Sequence, residues 1–252
     1  MKVTLLDYTG IHNTDPARFA AAILRYTKAT RLNMDAGNLS KFYYDNWDVV
    51  NKDLEAMAET IPSNWEFVDY TFQISGVSRG FTHQFVRTRT ASFAQQTMRV
   101  LDMSEGRGWD YHTGPSIKED DVLEPYYALV MEDISESYKL LIERGAKIED
   151  ARGILPTNIL TNICVNMNMR TFVEMCRKRH KSARVQGEYR DVMDAMIREV
   201  LIVHPFVSIF LQRGVDNSLD ELQKLIEDLD HNFTEADRTR AMKLIDIIRS
   251  EG

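Results

Sequence analysis

Apolar and polar positions alternate with two different periods along this chain. Lys2 to Tyr8 is rich in β-branched and apolar residues and predicts a short strand. Asp15-Pro16 predicts a helix start, because Asp can cap and Pro is preorganised at the first helical position. Phe19, Ala22, Ile23 and Tyr26 then recur at helical spacing, and a further helix is predicted from about Leu39 to Thr60. From Trp65 to Val77 the period changes to two: Phe67, Asp69, Thr71 and Gln73 alternate with Val68, Tyr70, Phe72 and Ile74, an aromatic-rich strand. Phe81 to about Thr88 predicts a short helix. Polar, irregular residues follow, and Met98 to Met103 predicts a return to strand.

The second half reads as helical. Leu129, Ile134, Tyr138, Leu141 and Ile142 stripe a long helix from Leu123 to Arg144, stopped by Gly145. Ile148 to Ile154 is a short helix ended before Pro156. Further helices are predicted over Thr157–Val165, Thr171–Arg179 and Gln186–Val203, with His204-Pro205 as a break. Capping patterns at Ser218-Leu219-Asp220-Glu221 and Thr234-Glu235-Ala236-Asp237 predict two last helices, ending near Ser250. The expected fold is α+β. A helix-rich domain with a small mixed or antiparallel sheet covers residues 1–213, and a helical extension covers 214–252.

Composition narrows the class. With 44% hydrophobic residues among 252, the chain can bury a core without disulfides, and its two cysteines suit a reducing compartment. No leader-like apolar region or membrane-spanning run is visible, so a soluble cytoplasmic protein is expected. A net charge of −7 argues against a protein that coats nucleic acid. The basic residues nonetheless cluster. Arg79, Arg87, Arg89, Arg99 and Arg107 form one group, and Arg177 to Arg190 holds another. Focused cationic sites on an acidic protein suit small anionic ligands. The six histidines show no paired ligand spacing, so no metal is expected. There is no P-loop and no Gly-x-Gly-x-x-Gly.

The segment Arg87 to Arg99 carries the sharpest chemistry. Three arginines bracket Ser92, Gln95, Gln96 and Thr97, all able to hydrogen-bond. A guanidinium fork suits phosphate bidentately, and backbone N–H groups of a polar turn add to such a site. The competing reading is a solvated, arginine-rich helix end followed by a loop. The basic run from Arg177 to Arg190, with Tyr189, also admits a non-catalytic RNA-binding reading, against which the acidic total charge counts.

The same segment resembles the Arg-His-Arg-x-x-Ser-x-Asn-x-x-Ser-x-Arg signature of the flavin-dependent thymidylate synthases. Arg87, Arg89, Ser92 and Arg99 match, Thr97 keeps the second hydroxyl, and Thr88 and Ala94 depart. Gln84 precedes Arg87 by three residues, as in the family. Trp65 to Phe72 is similar to the family's Glu-His-x-x-Phe-x-Phe strand, with Phe67 at the histidine. Ala151-Arg152-Gly153-Ile154-Leu155-Pro156 resembles Ala-Arg-x-x-Leu-Pro, and Asn168-Met169-Arg170 resembles Asn-Ala-Arg. Arg179 follows nine residues later, and Gln186-Gly187-Glu188-Tyr189-Arg190 is similar to Gln-Trp-Glu-Ile-Arg.

The resemblance implies a homotetramer with shared active sites. It implies FAD as cofactor, with NADPH and methylene-tetrahydrofolate as co-substrates, and one-carbon transfer to C5 of a deoxypyrimidine monophosphate, dUMP to dTMP. Gln84, Arg87, Gln95, Gln96, Thr97, Met98, Arg99, Arg152 and Arg179 would meet the nucleotide, with Arg179 polarising the pyrimidine. Arg87, Thr88, Arg89, Ser92, Asn168 and Arg170 would meet the flavin. His180 is a further candidate for flavin or folate, or a surface residue; Tyr70 and Phe72 could line a ring slot, or fill the core. The departures at Phe67, Thr88, Ala94 and Gly187 fall on positions associated with flavin, folate or their packing. Water addition in place of hydride delivery would give a 5-hydroxymethyl product from dUMP or dCMP, the alternative on the same scaffold.

Overall fold

Strand β1 (Lys2–Tyr8) forms where predicted, and so does helix α1 (Pro16–Lys28). The Asp15 carboxylate accepts from the N–H groups of Ala17 and Arg18, as its sequence position required. The computed structural model describes residues 1–11, 14–29, 35–103, 109–179, 186–212, 239–241, 243 and 245. Both capping patterns beyond residue 213, and His180, lie outside the described residues. No helix among the described residues is long and apolar enough to cross a membrane.

The chain divides into two compact units, each assembled from separate segments. The first holds Met1–Asp7, Thr71–Met167 and Gln186–Met196; the second holds Tyr8–Tyr70, Asn168–Val185 and Ile197–Gly252. A four-stranded sheet runs in the order β1-β2-β4-β3, with β2 at Asp69–Ser78, β3 at Ala91–Gln95 and β4 at Leu160–Asn168. Strand β3 pairs antiparallel with β4, Ala91 opposite Met167 and Gln95 opposite Ile163. Asn166 reaches Thr71 while Asn162 reaches Gly76, so β2 and β4 are antiparallel as well.

Two strands correct the sequence reading. The helix predicted over Thr157–Val165 is strand β4. Ile159, Cys164 and Leu160 mimic helical spacing, yet Thr161, Ile163, Val165 and Met167 are the buried set and alternate strictly with polar or half-exposed neighbours. The strand predicted over Met98 to Met103 is an irregular turn. Met98 and Met103 instead anchor a small cluster with Tyr138, Ala151 and Ile159. The true strand is β3, inside the stretch read as polar and irregular. It is a short edge strand whose outer positions are polar or small, which is how exposed edges avoid further pairing.

Strand β2 also starts later than predicted, because residues 62–67 form a 3-10 turn. Tyr70, Phe72 and Ile74 point inward and are fully buried, so the two aromatics fill the core. The alternation slips at Gly76, whose φ of +69° is costly for other residues. Its N–H donates to the Asn162 side chain at 3.1 Å instead of continuing the regular pattern, and Val77 is then the buried residue.

The rest of the first unit is helical. Its elements are α4 (Arg79–Phe85), the short α5 (Pro115–Lys118), the long α6 (Leu123–Glu143), α7 (Ile148–Ala151) and the start of α9 (Gly187–Val203). Gly145 ends α6 at φ +87°.

In the second unit the single helix expected from Leu39 to Thr60 is two, α2 (Gly37–Tyr44) and α3 (Trp47–Ala58). Asp45 is extended, and Asn46 caps α3 by accepting from the Asp48 N–H. The break is held from α1: buried Arg25 pairs with Asp45 and Asp53, each at 2.7 Å. Helices α8 (Met169–Arg179) and α10 (Val207–Gln212) complete this unit.

His204 sits at its centre, against the rings of Tyr8, Tyr70 and Phe206. Nε2 lies 3.1 Å from the Thr9 carbonyl, which only accepts, so Nε2 donates and Nδ1 accepts from the Tyr70 hydroxyl at 3.0 Å. Burial pushes the imidazole pKa down to about 4. The unfolded chain takes up a proton near pH 6.5 while the folded one does not. Stability is therefore intact above that pH and falls by about 3 kcal/mol as pH drops towards 4. Urea midpoints measured between pH 7.5 and 4.5 should show this loss, and His204→Gln should remove it; parallel slopes in both proteins would contradict the assignment.

Candidate active site

Strand β2 runs into α4 without a loop, so the residue at the junction must both end a strand and cap a helix. Ser78 does so: its Oγ accepts from the Phe81 N–H at 2.9 Å. The Ser78 N–H and hydroxyl both donate to the Glu188 carboxylate, at 2.6 and 2.5 Å. Glu188 lies in the first turn of α9 and is 6% exposed. Just before it, Gln186 accepts from the Gln84 side chain at 3.2 Å. The start of α9 thus grips both ends of α4. Phe81, Phe85 and Tyr189 fill the space between the helices.

Gripped in this way, α4 directs Arg79 into a cavity of about 490 Å³. Its walls include His83, Met98, Glu149, Arg152 and Thr157. Arg79 is half-buried, and its Nη1 is sealed from solvent with no hydrogen-bond partner among the described residues. Burial, and then the like charge of Arg152, pull its pKa below the ordinary arginine value. A buried guanidinium nitrogen without an acceptor is costly. Two guanidiniums lining one cavity can together receive an anion. Arg99 reaches the rim, with Nη2 3.7 Å from the Glu149 carboxylate, while Arg152 Nε donates to the Glu149 carbonyl at 3.2 Å.

Of the residues predicted to meet the nucleotide, Met98 and Arg152 line this cavity and Arg99 stands beside it. Thr97 accepts from the Arg99 N–H at 3.1 Å and shapes that turn. Gln84 lies on α4, engaged with Gln186. Arg87 is exposed just beyond α4 and donates to the His83 carbonyl. Gln95 donates to Thr82 at 2.8 Å, and the Gln96 N–H is spent on Asn162 of the sheet. The cradle expected in a loop is therefore corrected: Gln95 lies in edge strand β3 and Gln96 directly after it, with the Gln96 N–H already paired to the sheet. Arg89 and Ser92 are exposed on and before β3, and Thr88 is half-exposed between them and α4.

The second unit holds the other candidates. Asn168 caps α8, accepting from the Thr171 N–H at 2.9 Å. Arg170 pairs with Glu66 at 2.6 Å and Glu174 at 3.0 Å. Arg179 is the last residue of α8. Sequence reasoning gave no role to Arg79, His83, Glu149 or Glu188. The count of arginines between 79 and 107 was the available signal for Arg79. Glu188 matched the glutamate of the Gln-Trp-Glu-Ile-Arg motif but drew no role, because its partner Ser78 is 110 residues away, and nothing in the spacing pointed to the pairing of Glu149 with Arg99.

Comparison with known proteins adds the family. The model of the thymidylate synthase complementing protein family matches residues 4–206. A flavin-dependent thymidylate synthase of Clostridium tetani is 33% identical over 222 residues, covering 81% of this chain and 84% of that protein. One of Nitratidesulfovibrio vulgaris is 40% identical over 147 residues, a match covering 54% of this chain and 58% of that relative's length. Thymidylate synthase X from Helicobacter pylori, solved with FAD and dUMP, shares the fold. It superposes with a TM-score of 0.64 at 18% identity, over 84% of this chain and all of that one.

The grip on α4 is testable by stability. Glu188→Ala should cost about 2–3 kcal/mol in urea unfolding, because two buried donors of Ser78 lose a charged acceptor. Glu188→Gln, which keeps the volume and one acceptor oxygen, should lose less. An unchanged midpoint in Glu188→Ala would show that α4 is held by its aromatic contacts alone.

Proposed function

Because the chain belongs to the thymidylate synthase complementing protein family, we propose that it transfers a one-carbon unit from methylene-tetrahydrofolate to C5 of a deoxypyrimidine monophosphate, converting dUMP to dTMP with FAD and NADPH. The observation that carries this reading is that half-buried Arg79 lines a cavity of about 490 Å³ together with a second guanidinium, Arg152. Two guanidiniums on one cavity wall suit an anion, and a nucleotide monophosphate supplies one.

The reading gives the chain's residues distinct tasks. Arg79, Arg99 and Arg152 bind the phosphate, with Thr97 holding the Arg99 turn. Gln84, kept in place by Gln186, faces the nucleoside side together with Arg87. By the family resemblance, Arg179 is the residue that polarises the pyrimidine, where charge develops as C5 becomes nucleophilic. Arg87, Arg89 and Ser92 offer exposed donors that fit the pyrophosphate of FAD, and Thr88 lies among them. Asn168 and Arg170 fit through positioning, since both side chains are engaged by Thr171, Glu66 and Glu174. The bound flavin supplies the reducing equivalents for the transferred carbon. No cysteine is required: Cys176 is buried and Cys164 lies within β4.

A homotetramer, as the family resemblance implies, is supported by α6. Leu123, Tyr126, Leu129 and Leu140 are exposed along it, more apolar surface than a solvated helix needs. The family match ending at residue 206 supports a domain boundary near 213. A cytoplasmic enzyme follows from this role in nucleotide synthesis.

Incubation of the purified protein with dUMP, methylene-tetrahydrofolate, FAD and NADPH should yield a product in which methyl replaces the C5 hydrogen, a net gain of CH2. An added hydroxymethyl mass would instead establish the alternative product, and no conversion of dUMP or dCMP would reject the enzyme reading. Arg79→Ala should weaken dUMP binding by roughly 10- to 100-fold, the worth of one charge-assisted contact. Unaltered binding in calorimetric titration would remove Arg79 from the site.

A further inference from the structure

The cavity wall contains a carboxylate that binding an anion does not call for. Glu149 lies on the wall shared with Arg79 and Arg152, and its carboxylate is 3.7 Å from Arg99 Nη2. It is fixed there by its own backbone: the Glu149 carbonyl accepts from Arg152 Nε, and neighbouring Ala151 is buried. Every cation at such a site strengthens anion binding and every carboxylate weakens it.

We propose that Glu149 makes the site selective for a phosphate monoester over longer phosphate chains. The proposal rests on the nucleotide reading above, because it takes this cavity as the place of the phosphate. Arg79, Arg99 and Arg152 contribute three positive charges and Glu149 one negative, which leaves two positive. A phosphate monoester carries about −1.5 to −2 at neutral pH and balances them. A diphosphate or triphosphate brings further negative charge into a cavity whose wall already carries Glu149. Volume does not make the distinction, since about 490 Å³ leaves space for a longer chain; charge does. Without ligand, Glu149 keeps Arg99 paired.

Calorimetric titration of the full chain with dUMP, dUDP and dUTP tests this in wild type, Glu149→Gln and Glu149→Asp. Wild type should prefer dUMP, and added salt should narrow the preference. Glu149→Gln keeps the backbone contact to Arg152 and removes only the charge. It should raise dUTP affinity roughly tenfold more than dUMP affinity. Glu149→Asp, with its charge kept, should discriminate as wild type does. An unchanged dUMP-to-dUTP ratio in Glu149→Gln overturns the proposal while leaving the nucleotide site standing. Wild type that binds neither nucleotide nor inorganic phosphate overturns the reading of the cavity, and the proposal with it.

Discussion

The buried contact between Glu188 and Ser78 is the constraint on which the site depends. A carboxylate out of water needs donors on both oxygens, and one serine supplies them through its amide and its hydroxyl. The same hydroxyl oxygen accepts from α4, so one residue serves a strand end, a helix start and a buried charge. The direction of α4, and hence the aim of Arg79, follows from that triple duty.

Much of the fold was legible because local chemistry and tertiary need agreed. Asp15-Pro16 predicted a capped helix, and the cap formed; Gly145 predicted a stop, and its φ is positive. The errors came where a second period could be read into the same letters. Ile159, Leu160 and Cys164 suggest a helix, and only the buried row Ile163, Val165 and Met167 reveals the strand. The break at Asp45 was invisible because its cause, Arg25, lies on another helix.

The site was legible in kind and less so in construction. Arginines with hydroxyls announced an anion, and Arg99 and Arg152 do flank one cavity. The segment expected as a cradle of loop amides is an edge strand, held by Phe93 packing on Phe85 and by pairing with β4. Arg79 took the place of those amides. Its importance came from what surrounds it rather than from a motif, since an unpaired nitrogen is a property of a packed structure. Thr88 and Ala94, the two departures from the family signature, lie just before β3 and on its exposed side, away from the residues that line the cavity.

Gly76 sets the phase of everything after it. Inward positions of β2 fall on even-numbered residues up to Ile74, and the left-handed residue hands them to Val77. A helix turns by about 100° per residue, so the loss of that single residue would swing Arg79 away from its cavity by more than a quarter turn. Along this stretch, then, substitutions on the solvent side are cheap for evolution. Insertions and deletions are costly, because chain length, together with Gly76 and Ser78, keeps the guanidinium on target.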